Sequence, residues 1–211
     1  MKPWRLFSAG MLAAAIVHAE PQPYQTLPET PSDHGIVRAF FLFSCPHCRE
    51  SDALLSRWGK SLPAPLTYAK TPVVVQSGES VVGAIAYYTA LVTNPELIQN
   101  FSDTSYRLIQ QDGYSAQDRK TSDLAARQAG YDPVKFRAHW GSPEVKRLFM
   151  QAAMLTAAYN IRMTPTLTIG GRYSLSPEVV AGNTASFVQL SNAMVSKYLQ
   201  EGEASLRKSL P

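Results

Sequence analysis

Cys45 and Cys48, separated by two residues, are the only cysteines in a chain of 211 residues. At that spacing the two sulfurs can close a disulfide within one helical turn, and as thiols they can exchange it with another thiol pair. An apolar, aromatic run over residues 37–43 leads into the tetrad Cys45-Pro46-His47-Cys48. Pro46 suits the first turn of a helix, where its missing N–H loses nothing and its φ is already set. A helix is therefore expected from Pro46 to Lys60, with both sulfurs at or within its N-terminus. There they lie near unpaired N–H groups and the positive end of the helix dipole. That field favours thiolate over thiol, and His47 adds to it when protonated. The chemistry expected of these residues is thiol–disulfide exchange.

Two plainer readings fit less well. Zinc takes four Cys or His ligands in most sites, and the remaining histidines, His18, His34 and His139, show no matching spacing with His47 or with one another. A structural disulfide gains more from closing a long loop than from closing four residues. No metal is expected.

The rest of the chain must hold this tetrad. Hydrophobic residues make up 45% of the sequence and aromatics 10%, enough for a sizeable core. The formal charge is +4, and Lys2 and Arg5 both fall in the first nineteen residues. Without those two, 18 basic residues face 16 acidic ones, a balance of +2. No Lys/Arg run reaches three residues, so nucleic-acid binding has no support. Residues 1–19 read as a secretory signal peptide, with a basic start, an apolar stretch over 6–17 and Val17-His18-Ala19 before the cleavage point. The apolar stretch is too short for a bilayer span. Export suits the chemistry, because disulfides persist outside the reducing cytosol.

Further along, four prolines keep residues 20–35 extended or turn-like, with a short edge strand over 24–27. A second core strand is expected over 66–75, with Pro72 near its end. From Ser77 the pattern turns helical. Val81, Ile85, Tyr88 and Val92 keep helical spacing, and Asn94-Pro95-Glu96, Asp132-Pro133 and Ser142-Pro143-Glu144 each read as a helix start. Thr121–Ala129 form another helix, closed by Gly130. Gly170-Gly171 between two β-prone runs signals a hairpin, and Phe187, Leu190, Met194 and Tyr198 mark a C-terminal helix.

A strand running into Cys-x-x-Cys on a helix, with a proline-started hairpin far downstream, resembles the thioredoxin fold. The Cys-Pro-His-Cys tetrad, the helical span, Thr164-Pro165-Thr166 and the Gly-Gly-Arg-Tyr hairpin resemble the DsbA family of exported thiol–disulfide oxidases. The fold class implied is α/β, a thioredoxin fold with an inserted α-helical domain. Its expected organisation is a signal peptide (1–19), a thioredoxin-like domain in two pieces (20–76 and 161–211) and a helical insertion (77–160). The resemblance implies that Cys45 is the exposed nucleophile and Cys48 the more buried resolving thiol, with Pro46 and His47 between them. It also implies a cis Pro165 packed against the disulfide, and a Thr164 backbone that pairs with substrate. Many members carry an acid six positions before the first cysteine, where this chain has Ala39. Asp52 stands as a substitute and Lys70 as a basic partner on the second strand, with ordinary surface charges as the alternative for both.

The function this implies is donation of the Cys45–Cys48 disulfide to thiols of newly secreted proteins in the periplasm. No quinone or flavin motif is present. No cofactor is therefore expected, and a DsbB-like membrane oxidase is the implied partner for re-oxidation. A monomer is expected, because residues 20–35 are too short for the dimerisation region of related isomerases. The rival readings are a reductase or isomerase on the same fold, and a periplasmic chaperone or binding module without turnover.

Overall fold

A computed structural model describes residues 22–209. The expected signal peptide lies outside the described residues. At the centre is β2 (Ile36–Phe41), whose residues from Val37 on are all buried. Its neighbours are β3 (Thr67–Pro72), which is parallel, and β4 (Thr166–Ile169), which is antiparallel. The sheet is completed by β5 (Tyr173–Leu175) and the two-residue edge strand β1 (Gln25–Thr26), in the order β1-β5-β4-β2-β3. Pro72 ends β3, an edge strand, where a missing N–H interrupts no ladder. Strand β2 stops two residues before the apolar run over 37–43 does. Beyond Phe41 the chain turns, and the Cys45 N–H donates to the Leu42 carbonyl at 3.2 Å.

The β4–β5 hairpin turns on Gly170 and Gly171, with φ of +58° and +65°. Both values belong to the left-handed region that a tight two-residue turn needs. A side chain at Gly170 would also run into the ring of Tyr198.

Helix α1 (Pro46–Lys60) packs Leu55 and Trp58 against Val37, Leu167 and Ile169 of the sheet. The same cluster takes Phe187 and Met194 from the C-terminal helix, which spans Thr184–Ser209. Between β3 and β4 come α2 (Gly78–Thr93), α3 (Ile98–Gln110), α4 (Arg119–Gln128), α5 (Pro133–His139) and α6 (Pro143–Ala158); the C-terminal helix is therefore α7. Side chains cap four of these starts. Ser77, Asp118, Asp132 and Ser142 each accept a backbone N–H from the first turn. Two starts differ from expectation: Asn94-Pro95-Glu96 opens a 3₁₀ turn (Pro95–Leu97), so that α3 begins only at Ile98, and α4 begins at Arg119 rather than at Thr121. A further 3₁₀ turn, Pro177–Val180, was not anticipated, although Ser176-Pro177-Glu178 repeats the pattern of Ser142-Pro143-Glu144.

The insertion shares a core with the redox loop. Phe41, Phe43 and Cys48 fall in one buried cluster with Tyr87, Phe101 and Tyr106. Phe43 meets Tyr106 edge-on, with ring centres 5.2 Å apart.

Within the apolar run of β2 sits a buried cation. Arg38 grips Asp33 with two hydrogen bonds, at 2.9 and 2.6 Å, and donates to Thr71 Oγ1 at 2.8 Å. The Tyr159 hydroxyl donates to the same carboxylate at 2.8 Å. This network ties the N-terminal segment to β2, β3 and the end of α6. Asp33 is only 1% exposed, so removing its partner strands a buried charge. Arg38→Met should lower unfolding stability by about 3–5 kcal/mol in urea titration. A loss below about 1 kcal/mol, as expected of an exposed pair, would mean the network carries little.

Candidate active site

Cys45 is the N-cap of α1, with extended backbone (φ −78°, ψ 116°), and Pro46 opens the helix. The Cys45 sulfur accepts the backbone N–H of Cys48 at 3.3 Å. It therefore occupies the place a serine or aspartate oxygen takes at other helix starts, facing donors that have no partner inside the helix. Both cysteines are free thiols, Cys45 half-buried and Cys48 buried. His47 projects into solvent and reaches Glu50 Oε2 at 3.2 Å.

These surroundings drive the two thiols apart. Cys45 is lowered from 9.0 to about 6, first through hydrogen bonding from the Cys48 thiol, which outweighs the opposing effect of partial burial. A contact with Thr164, the Cys48 backbone N–H and the charge of His47 act in the same direction. Cys48 is pushed far up, first by burial and then by the neighbouring Cys45 sulfur. One thiol is primed to ionise near neutral pH and the other holds its proton.

From far along the chain, the Thr164 carbonyl comes to 3.2 Å from the Cys45 sulfur. The Thr164–Pro165 peptide is cis, and so is Ala64–Pro65, which carried no sequence signal. A groove of about 380 Å³ opens beside them, lined by His47, Met163, Thr164, Pro165, Pro177 and Gly182. The six residues singled out in the sequence thus meet at this one place: Cys45, Pro46, His47 and Cys48 at the start of α1, Thr164 and Pro165 across the groove from it.

Beneath the tetrad, Asp52 and Lys70 pair at 2.5 Å, with side chains 6% and 10% exposed. The surface-charge alternative therefore fails for both. Asp52 lies four residues after Cys48, one turn down the same helix face. Gln99 donates to its other oxygen at 2.8 Å. Lys70 donates to Ser102 at 3.3 Å and stands 5.0 Å from the centre of the Phe41 ring. Ala39 is Lys70's partner across the β2–β3 ladder, so its methyl group faces the place from which an acid on β2 would act. In this chain the buried carboxylate comes from α1 instead.

Sequence reasoning missed the contacts by which the insertion grips the loop. The Gln110 amide donates to the carbonyls of Phe43 at 2.7 Å and Cys45 at 3.0 Å. Ser44 is hydrogen-bonded to Glu79 at the start of α2. No motif marks a glutamine near a helix end, and neither contact has a local signature.

Comparison with known proteins settles the family. The profile of the DSBA-like thioredoxin domain matches residues 45–194. The chain belongs to the DSBA-like thioredoxin domain family. Its relatives include proteins named thiol:disulfide interchange protein DsbA. That of Bordetella parapertussis is 29% identical over 189 residues, 85% of this chain and 88% of the relative. That of Escherichia coli K12 is 29% identical over 201 residues, 90% and 91% of the two chains. Among solved structures, the DsbA1 oxidoreductase of Neisseria meningitidis superposes with a TM-score of 0.75 at 21% identity, covering 88% of this chain and 96% of that one. The fold is the thioredoxin-like DsbA fold, and the chain is a thiol–disulfide oxidoreductase of that family.

The contrast between the thiols gives a pH signature specific to the reduced protein. A group whose pKa falls on folding adds stability that is complete above its unfolded value and lost as pH falls through its folded value. For Cys45 that window runs from about 9 down to about 6. Ultraviolet thiolate absorbance of the reduced protein should show one midpoint near pH 6, and urea stability of the reduced form should climb across the same window while the oxidised form does not follow. His47→Ser should move the midpoint upward. A single midpoint near about 8.5, the ordinary cysteine value, would contradict the geometry.

Proposed function

We propose that this oxidoreductase acts as a dithiol oxidase on proteins newly exported to the periplasm. The observation that carries the reading is the placement of the Cys45 sulfur as the N-cap of α1, accepting the Cys48 N–H, with Cys48 buried behind it. A substrate thiolate attacks the Cys45 sulfur of the disulfide, and the Cys45–Cys48 bond breaks as a mixed disulfide forms. The electron pair leaves on Cys48, which takes up a proton. A second substrate thiol, as thiolate, attacks the substrate sulfur of the mixed disulfide and releases Cys45 as thiolate. The substrate has lost two electrons and two protons; the protein has gained both electrons and one proton, as Cys45 thiolate and Cys48 thiol, and the other proton passes to solvent. Stabilising the Cys45 thiolate makes it a good leaving group and makes this direction favourable.

In this reading Cys45 is the nucleophile and Cys48 the resolving thiol. Pro46 sets the helix start, and His47 supplies charge at the exposed sulfur. Thr164 and Pro165 form the wall against which an extended peptide lies, its backbone pairing with Thr164 as in strand addition. A solved complex of the Proteus mirabilis DsbA holds the cysteine-containing peptide PWATCDS, a substrate class consistent with the groove. Asp52, paired with Lys70 and Gln99 one helical turn after Cys48, is our candidate for the acid that stands in for the one absent at Ala39. Export follows from the leader reading. With no quinone or flavin motif in the sequence, re-oxidation of the dithiol needs a partner, which by family resemblance is a DsbB-like membrane oxidase. We further assign residues 20–76 and 161–211 to the catalytic domain and 77–160 to the insertion that supports it, in a monomer.

Oxidation of a dithiol peptide tests the reading. The oxidised wild type should convert one equivalent of peptide rapidly, whereas Cys45→Ser and Cys48→Ser, neither of which can form the Cys45–Cys48 disulfide, should convert none. A wild type that reduces insulin but does not oxidise the peptide would assign it to the reductases. A wild type with neither activity would leave a binding module.

A further inference from the structure

One face of α3 lies along the redox centre. Gln99, Ser102, Tyr106 and Gln110 recur three or four residues apart and so share one side of the helix. At its start, Gln99 and Ser102 hold the Asp52–Lys70 pair. In its middle, Tyr106 packs against Phe43. At its end, the half-buried Gln110 reaches the loop itself, with 2.7 and 3.0 Å bonds to the carbonyls of Phe43 and Cys45.

We infer that Gln110 is a positioning residue that sets how oxidising the Cys45–Cys48 couple is. The inference rests on the oxidase reading and deepens it. Cys45 is the N-cap, so its carbonyl accepts the first helical bond, from Arg49 N–H at a long 3.3 Å. That carbonyl and the one at Phe43 present partial negative charge on the backbone that carries the reactive sulfur. The two amide hydrogens of Gln110 offset that charge and fix the carbonyl directions. This in turn holds the Cys45 sulfur where it meets the Cys48 N–H. Without the amide, the carbonyls set a negative potential beside a thiolate, and the dithiol form loses stability relative to the disulfide. The couple should then be less oxidising. Gln110 touches neither sulfur, and its effect runs wholly through the backbone of the loop.

The experiment equilibrates wild type, Gln110→Leu and Gln110→Glu with reduced and oxidised glutathione. The reaction is protein disulfide plus two glutathione thiols going to protein dithiol plus glutathione disulfide. Leucine removes the donors at similar volume, and glutamate removes them while adding a negative charge. The equilibrium constant for reduction should fall about two- to tenfold in Gln110→Leu, the range that one net hydrogen bond gives, and further in Gln110→Glu. The thiolate midpoint should rise in the same order. A merely structural glutamine would lower the urea stability of both redox forms equally and leave both readings at wild type; that outcome overturns the inference. The wild-type arm guards the reading beneath it. If the wild type fails to oxidise a dithiol peptide, the oxidase assignment fails; if the wild type oxidises it and the variants match its equilibrium constant, only the role of Gln110 fails.

Discussion

The structure depends on one constraint: a helix begins at a sulfur. Every α-helix starts with N–H groups that have no partner within it. Here the group offered to them is the Cys45 side chain, so whatever negative charge that sulfur carries is met at once by donors already in place. The second sulfur, one turn along, faces inward among Phe41, Phe43 and Tyr106 and has no such welcome. The same four-residue spacing that permits a disulfide therefore produces two unlike thiols. In the proposed oxidase that unlikeness is the driving force, because opening the disulfide yields a charge the fold is built to hold.

The sheet and the insertion divide the work of keeping that helix start still. Strand β2 delivers the tetrad from the middle of the sheet, and β4 brings Thr164 and Pro165 to it from the other direction. The insertion approaches from the side, with Glu79 at Ser44 and Gln110 at the carbonyls of Phe43 and Cys45. It also completes the buried charge pair, since Gln99 and Ser102 of α3 bind Asp52 and Lys70. An isolated carboxylate and ammonium under a hydrophobic core would be costly. Gln99 and Ser102 of α3 give each member of the pair a further hydrogen bond, within a turn of Cys48.

Much of this was legible in the residues. The tetrad, its proline and the helix from Pro46 to Lys60 follow from local chemistry, and the hairpin at Gly170-Gly171 follows from a turn that needs left-handed backbone at both positions. In the insertion, Asp132 and Ser142 marked the starts of α5 and α6, helical spacing marked α2 and Gly130 marked the end of α4, while the Asp118 cap went unread. The meeting of Thr164 and Pro165 with Cys45 came only through family resemblance, because nothing local joins residues 119 positions apart. Arg38 was read as part of an apolar run; its burial depends on Asp33, Thr71 and Tyr159 arriving from three other segments. Asp52 and Lys70 left two alternatives open because burial of a charge is decided by what packs over it. Gln110 left no trace in the sequence, since one long polar side chain finding two carbonyls is a product of tertiary geometry.

The central claim is that folding stabilises the Cys45 thiolate, and thermodynamic linkage turns this into a comparison of two redox forms of one protein. A native state that favours the dithiol more than the unfolded chain does must disfavour the disulfide by the same free energy, with each 30 mV of potential worth about 1.4 kcal/mol for a two-electron couple. The direct measurement is urea unfolding of the reduced and oxidised protein side by side at neutral pH. The account predicts that the reduced form unfolds at the higher urea concentration, although it lacks the crosslink. An oxidised form that is equally or more stable would show the Cys45–Cys48 bond to be a structural disulfide and would contradict the account.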